Sequence, residues 1–548
     1  MFVKLTNSGG HHYVQLVESF RDEGGRPRQR TVATLGRSDR LAEVDKLIDG
    51  LRRATGRETI APPQVQFESA LALGHVWALS ELWRQLGLDA LGPVMRRTRS
   101  EVDALALVRA MVFNRLCDPR SKLGVLEWLQ TVVLPGLADV THQQLLRAMD
   151  SLEAAQQAIE DTLGQLLRPL LDEELAVVFY DLTTVAVEGA TVLPGDVRAV
   201  GRAKSGLFER QFVLSLVQTR EGLPIAHEVH PGNVAEVSTL LPTIRRIVAR
   251  HAVSRVVLVA DRGLLSLDNL QQLRQITLPS GKPLEFVLAV AAARYREFAQ
   301  LVQPMQAQHA KQAKPWVDEC GYDGMRLVVA QDPEQGTQRG AERMRRIAEL
   351  EALAEQWAGK LTAQEDGRRF RGRPLSDSGV KARFYHAVQE ASLGHVIEVD
   401  LRGELFNYSI RDEVLRRLEL LDGKLLLVTN SPEPAAEIVA RYKDLADIER
   451  GFRVLKSDIE IGPVYHRLPK RIRAHATICF IALLMQRVMR QRLKAKGSSY
   501  SPQHALRLLE RIHQHRIRLN GQPTSGISAI EREQLKLFSE LEIARPTA

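Results

Sequence analysis

The chain has 548 residues, of which 75 are Lys or Arg and 66 are Asp or Glu, giving a formal net charge of +9. This length exceeds what one hydrophobic core supports, so we expect about two to four domains. The positive charge favours an acidic partner such as nucleic acid, although solubility alone would explain a modest excess. Three widely spaced cysteines without a C-x-x-C pair argue against a disulfide framework or structural zinc.

The N-terminus, which begins Met1-Phe-Val-Lys-Leu-Thr, lacks the apolar core of a cleavable signal peptide. The longest apolar stretch, at 477–485, is too short to span a bilayer. The sequence therefore predicts a soluble, cytoplasmic protein.

The first third of the chain changes from strand-like to helix-like patterning. Residues 13–20 and 30–36 alternate around a turn at 22–27, which predicts an N-terminal β-hairpin over 1–40. Residues 41–172 are predicted to be helical, with apolar positions at helical spacing in 67–77 and 103–113.

From residue 173 to residue 293 short apolar runs alternate with helical patterns, in the order strand, strand, strand, helix, strand, helix, strand. This order predicts an α/β fold, a mixed sheet flanked by helices on both faces. The predicted strands are 176–180, 212–218, 224–230, 256–260 and 286–290, and the predicted helices are 235–250 and 267–274.

An aspartate directly follows two of these Val-rich runs. Asp181 follows the first run and Asp261 follows the fourth, which places both carboxylates at an edge of the sheet, where open α/β folds bind ligands. Either one alone is explained equally well as a turn or N-cap residue. Two such carboxylates plus a helical glutamate would make an oxygen-ligand set for Mg²⁺ or Mn²⁺.

The candidate glutamate is Glu449, in a stretch from Tyr442 to Lys456 that has the composition and apolar spacing of a helix. Tyr442, Glu449 and Lys456 are seven residues apart, so a regular helix would place them on one face. A phenol, a carboxylate and an ammonium on one face suit chemistry on a polyanion. The alternative is an exposed amphipathic helix with a Glu449–Arg453 pair.

The interval between Asp261 and Glu449 is too long for a connection and predicts an inserted subdomain. Within it, 342–361 is predicted to be a charged helix, 394–409 and 425–429 alternate like strands, and the basic stretch 367–374 is either a DNA-contacting loop or a linker. The resulting domains are 1–40, a hairpin; 41–172, helical; 173–293, the first part of the core; 294–432, an inserted α+β subdomain; 433–493, the second part of the core; and 494–548, a basic helical tail. A helix that is apolar on one side is predicted at about 470–493, an amphipathic helix is predicted near 504–517, and the last residues are predicted to be frayed.

Taken together, these motifs resemble a DDE transposase of a bacterial insertion sequence, in the group with a Tyr-x2-Arg-x3-Glu-x6-Lys signature. Tyr442, Glu449 and Lys456 match that spacing, but Leu445 stands at the Arg position, with Arg441, Arg450 and Arg453 as candidates to replace it. The resemblance continues through 115–123, 180–184, 231–233, 260–264, 425–430 and 462–475.

The resemblance implies a ribonuclease-H-like catalytic core with an insertion and a helical N-terminal domain that binds the ends of the element. Asp181, Asp261 and Glu449 would be the catalytic residues and would hold two Mg²⁺ or Mn²⁺ ions. The residues implied to contact DNA are Tyr442, Lys456, Arg453 and Arg262.

The resemblance also implies double-stranded DNA partners, namely terminal inverted repeats and target DNA. It further implies a homodimer or higher oligomer on DNA, and cleavage at the element ends through a hairpin intermediate followed by strand transfer. Two other functions remain open on the sequence alone. One is a ribonuclease-H-like DNA nuclease that joins no strands. A strand-transfer assay would distinguish such a nuclease from a transposase. The other is a transposase-derived DNA-binding protein without catalysis. The departure from the signature at Leu445 is the observation that favours this alternative.

Overall fold

A computed structural model describes residues 1–38, 41–56, 65–95, 103–137, 139–170, 176–189, 193, 195–202, 208–250, 256–260, 267–309, 314–368, 374–444 and 451–547. The strands are β1 Phe2–Ser8, β2 His11–Arg21, β3 Pro27–Arg37, β4 Val65–Ala72, β5 Ala176–Ala186, β6 Ala199–Arg202, β7 Phe208–Thr219, β8 Pro224–Pro231, β9 Val256–Ala260, β10 Glu285–Ala289, β11 Trp316–Tyr322, β12 Met325–Gln331, β13 Ile397–Val399, β14 Tyr408–Ile410, β15 Lys424–Thr429, β16 His513–Leu519 and β17 Gln522–Ile527.

The helices, numbered in chain order, are α1 Leu41–Ala54, α2 Gly74–Gln85, α3 Leu91–Val94, α4 Ala104–Cys117, α5 Lys122–Leu129, α6 His142–Ala154, α7 Gln156–Leu167, α8 Glu236–Arg250, α9 Leu267–Arg274, α10 Ala299–His309, α11 Pro333–Glu365, α12 Asp377–Glu390, α13 Asp412–Leu421, α14 Ala435–Lys443, α15 Pro469–Ala495, α16 Pro502–Glu510 and α17 Arg532–Glu540.

The chain divides into two compact units. The smaller comprises 1–70 and 514–528, and the larger comprises 71–513 and 529–547. In the smaller unit β1, β2 and β3 form an antiparallel sheet, with the predicted turn between β2 and β3 and an unpredicted first strand. A second sheet has the order β17-β16-β4.

The second sheet of the smaller unit corrects two sequence predictions. Residues 65–72 form a strand and not the start of a helix, and the helix predicted near 504–517 ends at Glu510, with a strand from His513. The reason is that β4 obtains its backbone hydrogen bonds from β16, more than 400 residues away in the sequence, and local apolar spacing does not report such pairing.

A nine-stranded mixed sheet forms the centre of the larger unit, in the order β11-β12-β15-β10-β9-β5-β7-β6 with β8 also paired to β7. The pairs β10–β9 and β9–β5 are parallel and the other pairs are antiparallel. The fold is therefore a mixed α/β architecture with one large sheet and many helices. The bounds of β9 and α9 are those that the sequence predicts.

The division of the core at residue 294 is wrong in one respect. Strands β11, β12 and β15 fall inside the predicted insertion at 294–432, yet they extend the main sheet. Their apolar residues Leu327–Val329 and Leu426–Val428 are fully buried there. A separate small core gathers around Phe384 and includes side chains from α11, α12, α13 and the β13–β14 pair. The additional subdomain therefore lies between β12 and β15.

Helix α15 is buried on all sides, although the sequence suggested a helix with one apolar side. The whole helix is long and apolar enough to cross a membrane, whereas the apolar stretch at 477–485 alone is too short. However, 94% of its most apolar window is buried inside the protein. That burial is typical of the core helix of a globular fold. The last residues are also packed: Leu537, Phe538 and Ile543 are buried, and Trp77 Nε1 donates to Ala544 O at 2.8 Å, so the predicted frayed tail is wrong.

Candidate catalytic site

Asp181 lies within β5 and not at its end, because antiparallel pairing with β7 continues to Ala186. The parallel pairing of β5 with β9 stops one residue earlier, at Tyr180 opposite Ala260. Asp181 is therefore the first residue of β5 beyond the carboxyl end of β9. Its Oδ1 accepts a hydrogen bond from the backbone N–H of Leu182 at 2.7 Å, and the residue is partly exposed.

The register identifies the face of the sheet on which Asp181 lies. Phe179 and Asp181 have the same parity on β5, and their partners on β7 are Gln218 and Leu216. Phe179 packs in a cluster with residues of β9 and with Ile438 and Val439 of α14. Asp181 is therefore on the face that α14 covers.

The opposite face of the same strand is buried and carries a polar network. Tyr180 is fully buried and its hydroxyl donates to Thr239 Oγ1 of α8 at 2.7 Å. Burial raises the pKa of Tyr180 to about 12, so the phenol stays protonated. Thr243 and Arg246 both donate to Glu228 on this side, at 2.9 and 2.8 Å. This network holds β5, β8 and α8 together behind the candidate site.

Tyr442 lies in the last turn of α14, partly buried against the Phe179 cluster, which puts it on the same face as Asp181. Its neighbour Arg441 is buried and forms a bidentate ion pair with Glu433, with Nη2 to Oε1 at 2.6 Å. Arg441 is therefore a structural residue. The candidates to replace the arginine missing at Leu445 are Arg441, Arg450 and Arg453. The ion pair with Glu433 excludes Arg441 from that role.

The chain after α14 is described again from Gly451. Gly451 and Phe452 are buried, whereas Arg453 is exposed, so Arg453 is accessible to a ligand. A Cβ placed on Gly451 would come within 2.4 Å of Gln218 Nε2, so this segment touches β7 two residues along from the partner of Asp181. Gln218 itself is fully buried, and no residue in the described ranges hydrogen-bonds its side chain.

Lys456 is exposed, but it does not lie on a regular α-helix. Residues 454–458 form a π-helical turn, which ends the segment before Ile459. A π-turn contains more residues per turn than an α-helix, so the seven-residue argument that puts Tyr442 and Lys456 on one helix face does not apply across it. The prediction of a single regular helix from Tyr442 to Lys456 is therefore wrong at its C-terminal end.

Five residues of the sequence argument, Asp261, Arg262, Leu445, Glu449 and Arg450, lie outside the described residues. Within the described part of the chain no group of three or more His, Cys, Asp or Glu residues is arranged to hold a metal ion. The structure thus brings Asp181 and Tyr442 to one face of the sheet and leaves Arg453 and Lys456 exposed.

Sequence reasoning missed Gln218 as a neighbour of this site. The available indication was a glutamine at the end of the apolar run Phe212-Val-Leu-Ser-Leu-Val, where a fully buried polar side chain needs a reason.

Comparison with known proteins identifies the family. Residues 173–485, more than half of the chain, match the family model of the transposase DDE domain, and residues 3–63 match the N-terminal domain of IS1634 family transposases. No curated protein matches the sequence. Among solved structures, the chain is similar to a piggyBac transposase in a synaptic complex with hairpin DNA, seen by cryo-EM. The identity is 9%, the similarity covers 80% of this chain and 76% of that chain, and the TM-score is 0.38. The chain is a DNA transposase and belongs to the family of transposases with a DDE domain.

Proposed function

We propose that Asp181, Asp261 and Glu449 are the catalytic carboxylates with which this transposase cleaves the ends of its element and joins them to target DNA. The observation that carries the proposal is the register of β5 and β9. Tyr180 is paired with Ala260, and in the sequence each of these residues is followed by an aspartate. Neighbouring strands are about 4.8 Å apart. Residues that directly follow a pair on two such strands are therefore suited to share one ligand.

Glu449 is proposed as the third carboxylate because of the segment that follows it. Gly451, two residues later, lies against Gln218 on the face of the sheet where Asp181 lies. In the sequence Glu449 lies between Tyr442 and Gly451, and both of these residues pack on this face.

The donor set fits a divalent cation, on which the chemistry of this family depends. Carboxylate oxygens are the ligands that Mg²⁺ and Mn²⁺ prefer, and Asp181 is partly exposed, so an ion can reach it. We propose Mg²⁺, replaceable by Mn²⁺, with two ions held between Asp181, Asp261 and Glu449. When bound, the metal supplies Lewis-acid activation of the attacking oxygen and charge stabilisation of the departing 3′-oxygen.

The protein's own cations would position the DNA. Lys456 and Arg453 are exposed beside the buried residues of their segment and are proposed to hold phosphate oxygens of the cleaved strand. Tyr442, on the face of Asp181, is proposed to donate a hydrogen bond to a phosphate, and Arg262, next to Asp261, to add a further contact. With Leu445 at the Arg position of the signature and Arg441 buried in an ion pair, Arg453 is the proposed replacement.

Several broader features belong to the same proposal. The mixed sheet is proposed to be the sheet of a ribonuclease-H-like core, and the region 41–172 to bind the terminal inverted repeats. A homodimer or higher oligomer on DNA and a hairpin intermediate are further parts of it, as is a cytoplasmic location.

The test measures metal binding and cleavage separately. Mn²⁺ should bind the wild-type protein and bind at least tenfold more weakly to Asp181→Asn, while Asp139→Asn, in an exposed loop, should behave like the wild type. Strand transfer with paired end oligonucleotides then distinguishes a transposase centre from a nuclease centre. Unchanged Mn²⁺ affinity in Asp181→Asn would refute the assignment of Asp181.

A further inference from the structure

A cavity of about 620 Å³ lies outside the residues assigned to catalysis. Its walls come from the corner between α4 and α5, from the start of α6 and from the segment 460–471. Apolar side chains, such as Leu146, Pro463 and Leu468, form part of the wall, and Tyr465 at its edge is 69% exposed. A cavity of this size accommodates a small organic ligand.

Three helices begin at this cavity. Lys122 is the first residue of α5, His142 is the first residue of α6, and Leu468 is the N-cap residue of α15. The side chains of Ser121 and Thr141 cap α5 and α6 by accepting from Gly124 N and Gln144 N, whereas the N-cap Leu468 supplies no side-chain hydrogen bond to the first turn of α15. Helix N-termini present backbone N–H groups and a partial positive charge, so their convergence favours an anion.

Two buried cations reinforce this preference. Lys122 is 5% exposed, and its Nζ has no hydrogen-bond partner among the described residues. Arg115 is 6% exposed, and its hydrogen-bond acceptors within the described ranges are backbone carbonyls, those of Ile459 at 3.3 Å, of Glu460 at 3.0 Å and of Arg120. A buried charge is costly unless an opposite charge accompanies it.

The described wall does not supply that opposite charge. Its one carboxylate, Glu460, is exposed. Arg471, also in the wall, is already neutralised by Asp150, with Nε to Oδ1 at 2.9 Å. The buried cations Arg115 and Lys122 therefore exceed the nearby negative charge.

We propose that this cavity binds a phosphodiester group of a DNA strand, with the phosphate near Lys122 and the three helix N-termini and the attached nucleoside against the apolar wall and Tyr465. Duplex sites on protein surfaces use exposed cations, whereas here the cations are buried. The concave shape suits a nucleotide unit that enters the protein.

The position of the cavity relative to Asp181 supports DNA as the source of the phosphate. The wall segment pairs with the end of β5: Val464 N donates to Ala186 O at 3.0 Å and Glu188 N donates to Val464 O at 2.9 Å. Val187 is six residues beyond Asp181, which corresponds to about 20 Å along a strand. That length equals roughly six nucleotide steps. This part of the inference rests on the proposed function, because it assumes DNA at Asp181.

The test uses the full-length protein without added metal and the deoxydinucleotide d(TpT), whose phosphodiester does not titrate near neutral pH. Calorimetry at pH 7 should show binding that Lys122→Met weakens at least tenfold. Lys282→Met, which removes an exposed lysine from a turn, should have no effect. Tyr465→Ala changes an exposed residue and provides a second variant that is expected to fold; it should weaken binding severalfold.

The pH dependence provides a second measurement. Burial, with Arg115 nearby, lowers the pKa of Lys122 to about 7, while the buried thiol Cys479 acts in the opposite direction. The neighbouring His466 and His475 are neutral near pH 7, because burial lowers the pKa of His466 to about 3 and that of His475 well below its usual value. His142 also lines the wall. Binding of a phosphodiester favours charged Lys122, so d(TpT) affinity should fall as pH rises from 7 to 9, and Lys122→Met should lose this dependence.

Four outcomes decide the proposal. Lys122-dependent d(TpT) binding that end-sequence DNA displaces supports it. Equal binding by wild type and Lys122→Met, or no binding by the wild type, overturns it. Binding that no DNA displaces overturns the assignment to a DNA strand. Asp181→Asn should keep d(TpT) affinity, so failure of the catalytic proposal and failure of this one are distinguishable.

Discussion

Gly451 lies directly against the side chain of Gln218, such that a Cβ on Gly451 would approach Gln218 Nε2 to 2.4 Å. Gln218 is opposite Phe179 on β5, and Asp181 is opposite Leu216. The contact therefore joins the segment that follows Glu449 to the strand next to Asp181. A side chain at position 451 would require either the buried Gln218 side chain or this segment to move.

Gly451→Ala is expected to lower cleavage at least tenfold and to destabilise the protein by about 1–3 kcal/mol, as overpacking does in a closed core. Gln218 is fully buried and has little room to move. Thermal unfolding and end-cleavage assays provide the measurements. The matched control is the double variant Gly451→Ala/Gln218→Ala, which removes the clashing atoms and should recover most of the loss. If the double variant were as inactive as the single one, the contact would not position the segment.

Asp181→Asn, Asp261→Asn and Glu449→Gln are each expected to abolish cleavage while binding to end DNA remains nearly unchanged. The reason is that they remove proposed metal ligands and leave the exposed cations Arg453 and Lys456 in place. Cleavage in Mg²⁺ and gel-shift titration measure the two effects, with Asp139→Asn as the control. Cleavage at the wild-type rate in any one variant would exclude that residue from the catalytic set.

Lys456→Ala is expected to weaken end binding and to reduce the salt dependence of that binding by roughly one phosphate contact. Tyr442→Phe should be milder, because only one hydrogen bond is lost. Affinities measured over a series of salt concentrations give the slope. An unchanged slope together with unchanged cleavage would assign Lys456 to the solvated surface.

Arg441→Ala and Arg453→Ala should fail in different ways. Loss of Arg441 leaves Glu433 without its buried ion-pair partner and should destabilise the protein by about 3–5 kcal/mol. Arg453 is exposed, so Arg453→Ala should unfold at the wild-type temperature while losing most of its activity. Unfolding temperature and cleavage rate, measured side by side, separate the two roles. Arg453→Lys should also lose activity if the contact with phosphate is bidentate. Mild losses of activity for Arg453→Ala, Arg450→Ala and Arg453→Lys would refute the proposal that a nearby arginine replaces the one missing at Leu445.

Acid is expected to destabilise the protein partly through His227. This residue is buried between β7, β8 and α15, with Nε2 at 3.1 Å from Thr477 Oγ1 and its ring stacked on Phe480. Burial lowers the pKa of His227 to about 4 from 6.5. The folded state thus binds this proton less readily than the unfolded state, so stability is complete above pH 6.5 and falls as pH drops towards 4.

The shift of the His227 pKa corresponds to about 3 kcal/mol below pH 4. In His227→Gln, which keeps a polar group but does not titrate, unfolding curves between pH 7 and pH 4 should show a weaker loss of stability. An identical pH dependence in both proteins would rule out a contribution from His227.

The sequence by itself determined the local elements and the chemistry of the candidate site. The Val-rich run of β9 and the apolar spacing of α9 predict the bounds of these two elements. Asp103 caps α4 by accepting a hydrogen bond from Leu105 N at 3.0 Å. These features depend on neighbours within a few residues. The ordered set of carboxylates and cations likewise indicated a DDE transposase, since residue type and spacing are properties of the sequence.

The tertiary structure alone decided which residues share an environment. Strand β4 depends on β16, and the main sheet extends through β11, β12 and β15. Arg441 is paired with Glu433, and Lys122 is buried at the meeting point of three helices. These relations join residues distant in sequence, or remove a charge from solvent, and both depend on packing that no local pattern encodes. Arg115 and Lys122 are likewise buried in the wall of a cavity, which residue type alone does not indicate.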